Sequence, residues 1–297
     1  MKFLKVFGLV ILSLLLFLSL SVFGTVLTLN QTILNPDFVV SQVDRLDIPA
    51  LAEDMLSEQV PPEAEEFMNE EFMVEVISDT ITDLEPWLKE QARDGIYSIY
   101  DYLEGRSQSL SLTISMEPVK ESLMDNLRQA VLESPPPELA GLPPAEIESY
   151  LDEVYQQIPS TFEFTEASLD PAVIAQLEMV RQAIGYFRLG YYALIALILL
   201  LILGIILINR EVRGSTRSLG SIFLSCGILN FASVFIAKNI AGTQLARLDM
   251  PVYLQTWIPQ LIKDALAPLE MYSIGLLAVG VVLLVVSFVY KPREPLL

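Results

Sequence analysis

The sequence predicts a mainly α membrane protein: four transmembrane helices carrying a mostly helical extracytoplasmic domain that contains a small two-stranded β element. Three observations predict it. Four apolar stretches are long enough to cross a bilayer, one acidic polar block separates the first two, and short basic segments flank the stretches. The 297 residues have a mean hydropathy of +0.49, which is typical of a membrane protein with one polar domain.

The apolar stretches divide the chain. Each can span the ~30 Å hydrocarbon core, which takes about 20 helical residues. The predicted domains are transmembrane helix 1 at 1–29, the acidic extracytoplasmic domain at 30–183, and a membrane bundle at 184–297 with a short amphipathic outer loop at 238–271. The stretches themselves are Phe3–Leu29, Leu189–Ile208, Leu219–Ala237 and Tyr272–Tyr290.

The first stretch is interpreted as an uncleaved anchor. Lys2 and Lys5 give it the basic start that a signal peptide also has. However, its apolar run continues to Leu29 with no small-residue cleavage site, and a signal peptide has a shorter apolar region. The alternative, a cleaved signal, would leave three spans on the same sides of the membrane.

Charge is unevenly distributed. Asn30–Ala183 holds 32 acidic and 7 basic residues, a net charge of −25, whereas the remaining residues sum to +6. The acidic block is therefore unsuited to nucleic acid or anionic lipid. A protein, a peptide or a divalent cation is the expected type of partner, besides the lipid bilayer itself, and a homo-oligomer is a further possibility.

Basic residues in short loops predict the orientation, because such loops stay on the cytoplasmic side. With four spans, all three basic segments fall on one side. We therefore expect a multi-pass protein of the cell membrane with both termini cytoplasmic. The segments contain Lys2 and Lys5, then Arg210, Arg213 and Arg217, then Lys291 and Arg293.

The acidic block contains two strand patterns. Polar and apolar residues alternate over Ser109–Met116 and again over Thr161–Thr165, which is the period of a half-buried strand. The two strands are expected to pair and to pack on helices, because an isolated pair is marginal. Helices are predicted between them at Pro118–Glu133 and Pro144–Gln157.

In the earlier part of the acidic block, prolines and a glycine are expected to interrupt or end the helices. Asp37–Gln59 has a helical pattern interrupted at Pro49, and Glu63–Glu104 has another. Pro86 is expected to start a new helix or to kink the existing one, and Gly105 to end it.

A long helix is predicted from Asp170-Pro171, an N-cap followed by proline at the first helical position. No proline interrupts it before Ile208. Its apolar stripe is interpreted as the place where the outer domain packs; a mechanical link to the membrane, or a dimer seam, is the alternative. The stripe consists of Val173, Leu177, Val180, Ile184 and Phe187.

The outer loop has one apolar helical face. It is expected either to lie in the membrane interface, with Trp257 at the headgroups, or to cap the acidic domain. The face contains Leu254, Trp257, Ile258, Leu261, Ile262, Ala265 and Leu266.

Small and polar residues of span three predict close helix packing, with Asn230 bonding across helices. The alternative is a polar pore lining past Asn230 and Ser233. The small residues are Ser218, Gly220, Ser221, Ser225 and Gly227. Aromatic side chains of the second span, at Tyr186, Phe187, Tyr191 and Tyr192, predict a belt at the outer surface.

Catalytic chemistry is sparse. The chain has no histidine, one cysteine (Cys226) and no glycine-rich phosphate loop, which excludes the His-based triads and dyads, multi-thiolate zinc sites and the common nucleotide folds. The acidic run over 63–75 is interpreted as a solvated helix face, with weak Ca²⁺ or Mg²⁺ binding as the alternative. No catalytic, cofactor-binding or metal-ligating residue is assigned, and no cofactor is expected.

The expected function follows from these patterns. The chain is predicted to be a non-enzymatic integral membrane protein whose acidic ectodomain binds a protein, peptide or cation and is rigidly coupled to the membrane bundle. A channel or transporter subunit is the first alternative. A carboxylate-based, metal-dependent surface hydrolase is the second.

Overall fold

A computed structural model describes residues 2–51, 70–133, 143–165, 168–209, 211–245 and 252–289. Four of its helices are long and apolar enough to span a membrane, and its only strands within these ranges form one two-stranded sheet. The mainly α fold and the small β element are therefore confirmed. In chain order the elements are α1 (Lys2–Gln31), α2 (Pro36–Val43), α3 (Glu70–Leu103), β1 (Ser111–Ser115), α4 (Glu117–Glu133), α5 (Pro144–Gln157), β2 (Thr161–Thr165), α6 (Pro171–Asn209), α7 (Val212–Leu245) and α8 (Val252–Val289).

The chain divides into two compact units. The bundle unit consists of Met1–Phe38, Gln182–Met250 and Gln255–Leu297. The acidic unit consists of Val39–Arg181 and Pro251–Leu254. Helix α6 contributes residues to both units, because their boundary falls between Arg181 and Gln182 within that helix.

The first helix of the acidic block ends earlier than predicted. Helix α2 stops at Val43, and residues 48–51 are helical again. Asp47 caps the second stretch, since its Oδ1 accepts a hydrogen bond from the Ala50 amide at 3.1 Å. Pro49 thus lies in a first helical turn, where its missing N–H costs nothing, and the break precedes it. The expected continuation to Gln59 lies outside the described residues.

Helix α3 runs through Pro86 without a break, so this proline does not start a new helix. The helix ends as predicted around Gly105. Gly105 has a φ of 75° and donates its N–H to the Tyr102 carbonyl at 3.0 Å, while Arg106 donates to the Asp101 carbonyl at 2.8 Å. This pair of bonds is a Schellman motif, and glycine is favoured there because it adopts positive φ without strain. The predicted beginning at Glu63 lies outside the described residues.

The two strands pair antiparallel in the predicted arrangement. β2 has the predicted bounds, whereas β1 is shorter than Ser109–Met116. Leu112 faces Phe164 and Ile114 faces Phe162. Leu112 packs on α3, where a Cβ added at Gly95 would lie 3.4 Å from its Cδ2. The sheet therefore rests on a helix, as a two-stranded pair requires.

Helices α3, α4 and α5 enclose the core of the acidic unit. Val76 is 1% and Met124 2% exposed, and full burial of such a side chain contributes about 1.5–3 kcal/mol. α5 has its predicted bounds and α4 begins one residue before Pro118. The buried residues are Phe72, Val76, Met124, Leu127, Val131 and Leu151.

Helix α6 begins at its predicted cap. Asp170 Oδ1 accepts a hydrogen bond from the Ala172 amide at 2.7 Å, and the helix continues for 39 residues to Asn209. The predicted stripe is partly wrong, because Val173 and Val180 are exposed. The packed face lies about one residue further along, at Ile174, Leu177, Arg181 and Ile184, since Arg181 rather than Val180 is turned toward the acidic unit.

The bundle unit packs four helices around one core. Its members lie on α1, α6, α7 and α8 and are Leu16, Leu20, Ile198, Leu201, Ile205, Leu219, Ile222, Cys226 and Leu276. Lipid tails are as apolar as these side chains, so association of the helices depends on van der Waals packing and interhelical hydrogen bonds.

Glycines bring α7 and α8 close together. A Cβ added at Gly280 would lie 2.7 Å from the Leu224 amide nitrogen, and one added at Gly227 would lie 2.9 Å from Leu277 Cγ. Gly220 approaches the Gly280 carbonyl in the same way. The prediction of close packing is confirmed for the two glycines of α7. It is wrong for Ser221 and Ser225, which are exposed.

The apolar face of the outer loop belongs to α8 and not to a separate helix. α8 runs unbroken from Val252 to Val289 and contains Pro259 and Pro268. Every residue from Leu254 to Leu266 that was assigned to that face is half-buried. Lys238 of α7 pairs with Glu270 of α8, joining the two helices near the outer ends predicted for their spans.

Replacing Gly280 with alanine is expected to destabilise the bundle by about 1–3 kcal/mol, the usual cost of overpacking, because backbone atoms must move. Gly275→Ala is the matched control on the same helix, since nothing lies within 4 Å of its Cβ position. Unfolding in mixed micelles at increasing denaturant measures both variants. Equal stability of the two variants would contradict the close crossing.

Candidate functional site

A polar cluster joins α4 to α5 at the end of the sheet. Glu117 begins α4, and its Oε2 accepts a hydrogen bond from the Tyr155 hydroxyl at 2.9 Å. Lys120 lies one turn later, with its Nζ 3.6 Å from Glu117 Oε1 and 4.1 Å from the centre of the Tyr155 ring. Lys120 is only 5% exposed, so its charge is shielded from water and offset by the carboxylate and the ring face.

Hydrogen bonding sets the protonation of this cluster. The hydroxyls of Tyr155 and Ser160, with a smaller contribution from Lys120, lower the pKa of Glu117 below its ordinary value. The same hydrogen bond to Glu117, together with burial, raises the pKa of Tyr155. At neutral pH the carboxylate is therefore ionised and the phenol neutral, which is the combination that preserves their bond.

The cluster is suited to holding helices together rather than to reaction. Each Glu117 oxygen has a partner, and the Lys120 ammonium is enclosed between Glu117 and Tyr155. Sequence reasoning missed these residues. The available signal was Glu117 three residues before Lys120 on one helix, a spacing at which opposite charges meet.

A second polar contact fixes the start of α6 within the acidic unit. The Arg181 guanidinium lies over the Tyr102 ring, 5.0 Å from its centre, and donates to the Ser107 carbonyl at 3.5 Å. Tyr102 is 4% exposed and belongs to the Schellman turn that ends α3. Arginine over an aromatic face contributes about 0.5–1 kcal/mol or more when shielded from water. This contact was also not predicted.

The bundle unit contains a small polar layer around Cys226. The thiol is fully buried, lies 3.5 Å from Ser21 Oγ of α1, and accepts a hydrogen bond from Asn230 Nδ2 at 3.3 Å. Asn230 therefore bonds within its own helix, and the prediction that it bonds across helices is wrong. Cys226, four residues earlier on α7, makes the cross-helix contact with Ser21 in its place.

Aromatic residues meet close to this layer. Phe23 of α1 packs with Tyr191 of α6 and Tyr272 of α8, each at 5.7 Å between ring centres. The Tyr272 hydroxyl donates to the Leu20 carbonyl at 2.9 Å. Of the expected aromatic belt, Tyr186 and Tyr192 are exposed as a belt requires, whereas Tyr191 is turned into the bundle.

Metal-binding candidates are not brought together in the described ranges: no group of three or more aspartate, glutamate or cysteine side chains there could hold an ion. Only part of the acidic run over 63–75 lies within the described residues. Glu63, Glu65 and Glu66 lie outside the described residues, and Glu75 is exposed on α3.

The acidic unit is expected to lose stability as the pH falls below about 4.5, where Glu117 ordinarily titrates. Its folded-state pKa is lowered, so its contribution is present above that pH and lost as protonation proceeds through the folded value. Glu117→Gln should weaken this pH dependence between pH 6 and 3, measured by thermal unfolding. Glu153→Gln, a charge change at an exposed position of α5, should keep the wild-type dependence. Identical profiles for both variants would rule out the Glu117 contribution.

Comparison of the chain with protein-family models, with curated proteins and with solved structures finds no match.

Proposed function

We propose that this chain is a non-enzymatic integral membrane protein whose acidic domain lies outside the cytoplasm and binds a protein, a peptide or a cation of complementary charge. We further propose that α6 couples this domain rigidly to the membrane bundle. The cell membrane is the proposed location, with both termini in the cytoplasm.

One observation carries the proposal: α6 is one unbroken helix whose residues belong to both units. At one end of α6, Arg181 is held by Tyr102 and Ser107 of the acidic unit. At the other end, Ile198, Leu201 and Ile205 are buried in the bundle core. A helix transmits displacement better than a flexible linker does, so binding at the acidic unit can bias the bundle.

The charge distribution supports the type of partner. The block at 30–183 carries −25, and its few basic side chains are largely engaged internally. Arg93 pairs with Asp44 at 3.0 Å, Arg106 with Asp101 at 2.7 Å, and Lys89 with Glu85 at 2.7 Å. The excess of acidic groups attracts cationic partners and speeds their association.

The alternatives have less support. For a channel or transporter, Asn230 and Ser233 were the expected polar lining, but Asn230 is buried and Ser233 is exposed and bonded to the Leu229 carbonyl. Asn230 is thus enclosed within the bundle, and its amide is engaged with Cys226 of its own helix. For a metal-dependent hydrolase, the described residues contain no cluster of three or more carboxylate side chains that could hold an ion.

Orientation is tested by cysteine accessibility in intact cells. Glu153→Cys, exposed on α5, should react with a membrane-impermeant maleimide without lysis. Arg213→Cys, exposed at the start of α7, should react only after the membrane is opened. The native Cys226 is fully buried and serves as the background. Labelling of Arg213→Cys before lysis, with Glu153→Cys protected, would reverse the proposed orientation.

Coupling is tested by spin-label distances between Glu153→Cys in the acidic unit and Arg213→Cys in the bundle unit, in a Cys226→Ser background. Rigid coupling predicts a narrow distance distribution. Insertion of Gly-Gly-Ser after Ala183 should broaden it severalfold, because glycine-rich segments are flexible. A control variant carries the same insertion after Asn209, where α6 has already ended, and its distance is measured between Glu153→Cys and a label at Gly8→Cys of α1. This distribution should stay narrow, because the insertion leaves α6 unbroken. A distribution that is already broad without any insertion would refute rigid coupling.

A further inference from the structure

Strand β2 has one edge paired with β1, and along its other edge no strand of the described ranges pairs with it. Thr161, Phe162 and Glu163 are all exposed in the folded chain. Across the open edge, no described residue forms a hydrogen bond with the main chain of Thr161 or Glu163. An open strand edge presents unpaired N–H and C=O groups, which is the geometry that other extended chains bind.

The register shows which main-chain groups point outward. The Met116 amide donates to the Ser160 carbonyl at 2.9 Å, so these two residues form a hydrogen-bonded pair just beyond the strands. Such pairs alternate with non-hydrogen-bonded ones in an antiparallel ladder. Thr161 and Glu163 therefore belong to non-hydrogen-bonded pairs, opposite Ser115 and Thr113. Their N–H and C=O groups point away from β1.

Thr165 independently tests which main-chain groups point outward. It lies two residues after Glu163, so its N–H and C=O should also point away from β1. Its amide donates to Ser168 Oγ at 3.0 Å, and its carbonyl accepts from the same hydroxyl at 2.7 Å. Both outward groups of Thr165 are thus satisfied by Ser168. The open part of the edge is limited to Thr161 and Glu163, which offer two donors and two acceptors.

The side chains of β2 define what could lie beside it. Glu163 and Thr161 project from one face of the sheet, and Phe162 projects from the other with 53% of its surface exposed. A strand added along this edge would alternate in the same way. Its residue opposite Glu163 is best basic, because opposite charges are favourable cross-strand neighbours, and its residue beside Phe162 is best apolar.

We propose that the outer edge of β2 binds a short extended peptide segment in which basic and apolar residues alternate, by strand addition. This inference rests on the proposed function and names the partner class and the place where it binds. The charge of −25 on the surrounding block favours a basic segment. It disfavours a second copy of this chain, which would bring an equally acidic block to the same edge.

Binding is tested with the full chain in neutral detergent and a fluorescent peptide of alternating lysine and valine, seven residues long, by fluorescence anisotropy. One control peptide has the same composition, with its lysines and valines grouped in two runs. A second carries N-methyl groups on alternate amides, which removes N–H donors without changing charge. The alternating peptide should bind at least about tenfold more tightly than either control, since only it can alternate faces and complete the ladder.

Variants of the protein locate the site. Thr161→Pro removes one outward N–H at the first residue of an edge strand, where proline is tolerated, and should weaken binding about tenfold. Glu163→Lys should weaken it to a similar degree. Glu153→Lys makes the same change in charge on α5 and should alter binding by less than about threefold, because exposed charges at a distance are screened.

The outcomes separate this inference from the proposed function. If the N-methylated peptide binds as well as its parent, or if Thr161→Pro has no effect, the edge is not the site, while binding of basic peptides by the acidic unit stands. If the grouped peptide binds as tightly as the alternating one, the interaction is non-specific and the inference is overturned. Because the peptide controls leave the protein unaltered, a poorly folded variant cannot decide the result.

Discussion

The unbroken course of α6 is the constraint on which the rest of the structure depends. A membrane span must satisfy its own backbone hydrogen bonds, and α6 does so over 39 residues that begin in the acidic unit. The Asp170 cap and Pro171 determine where it starts, and Arg181 fixes its first turns against the end of α3. A break in this helix near 182 would remove its continuous backbone hydrogen bonding at the boundary between the units, where α2 and α8 also contribute residues to both.

The bundle and the acidic unit are stabilised by different physics. In the acidic unit, apolar side chains such as Val76 and Met124 leave water, and the hydrophobic effect favours their burial. In the bundle unit the surroundings are as apolar as the core, so the stability of helix association depends on close van der Waals contact. The glycines at 220, 227 and 280 supply that contact, and Tyr272, Ser21 and Lys238 add polar links between helices.

Local signals in the sequence were sufficient for most elements. The bounds of α5 and β2, the cap of α6 and the glycine end of α3 were predicted because each is decided by neighbouring residues. Features that depend on distant residues were missed or misplaced. The rotation of α6 that turns Arg181 rather than Val180 inward depends on Tyr102, which lies 79 residues earlier in the chain. The Glu117, Lys120 and Tyr155 cluster joins two helices whose contact no local pattern shows.

The serines of α7 illustrate the same limit. The prediction grouped Ser221 and Ser225 with Gly220 and Gly227, although in the structure the serines are exposed and the glycines buried. Helical periodicity alone does not say which face of α7 meets α8. The backbone distance at Gly280 decides it. Likewise, Asn230 was expected to reach another helix, whereas Cys226, one turn away, is the residue that does.

The enclosure of Cys226 gives the chain a built-in reporter of its own motion. The thiol is fully buried beside Ser21 and Asn230 in the core that the four helices form, so a reagent in the surroundings can reach it only after these helices open. When reclosing is faster than modification, the rate of thiol modification is proportional to the population of the opened bundle. A single native side chain thus measures how often the helices part, without any substitution.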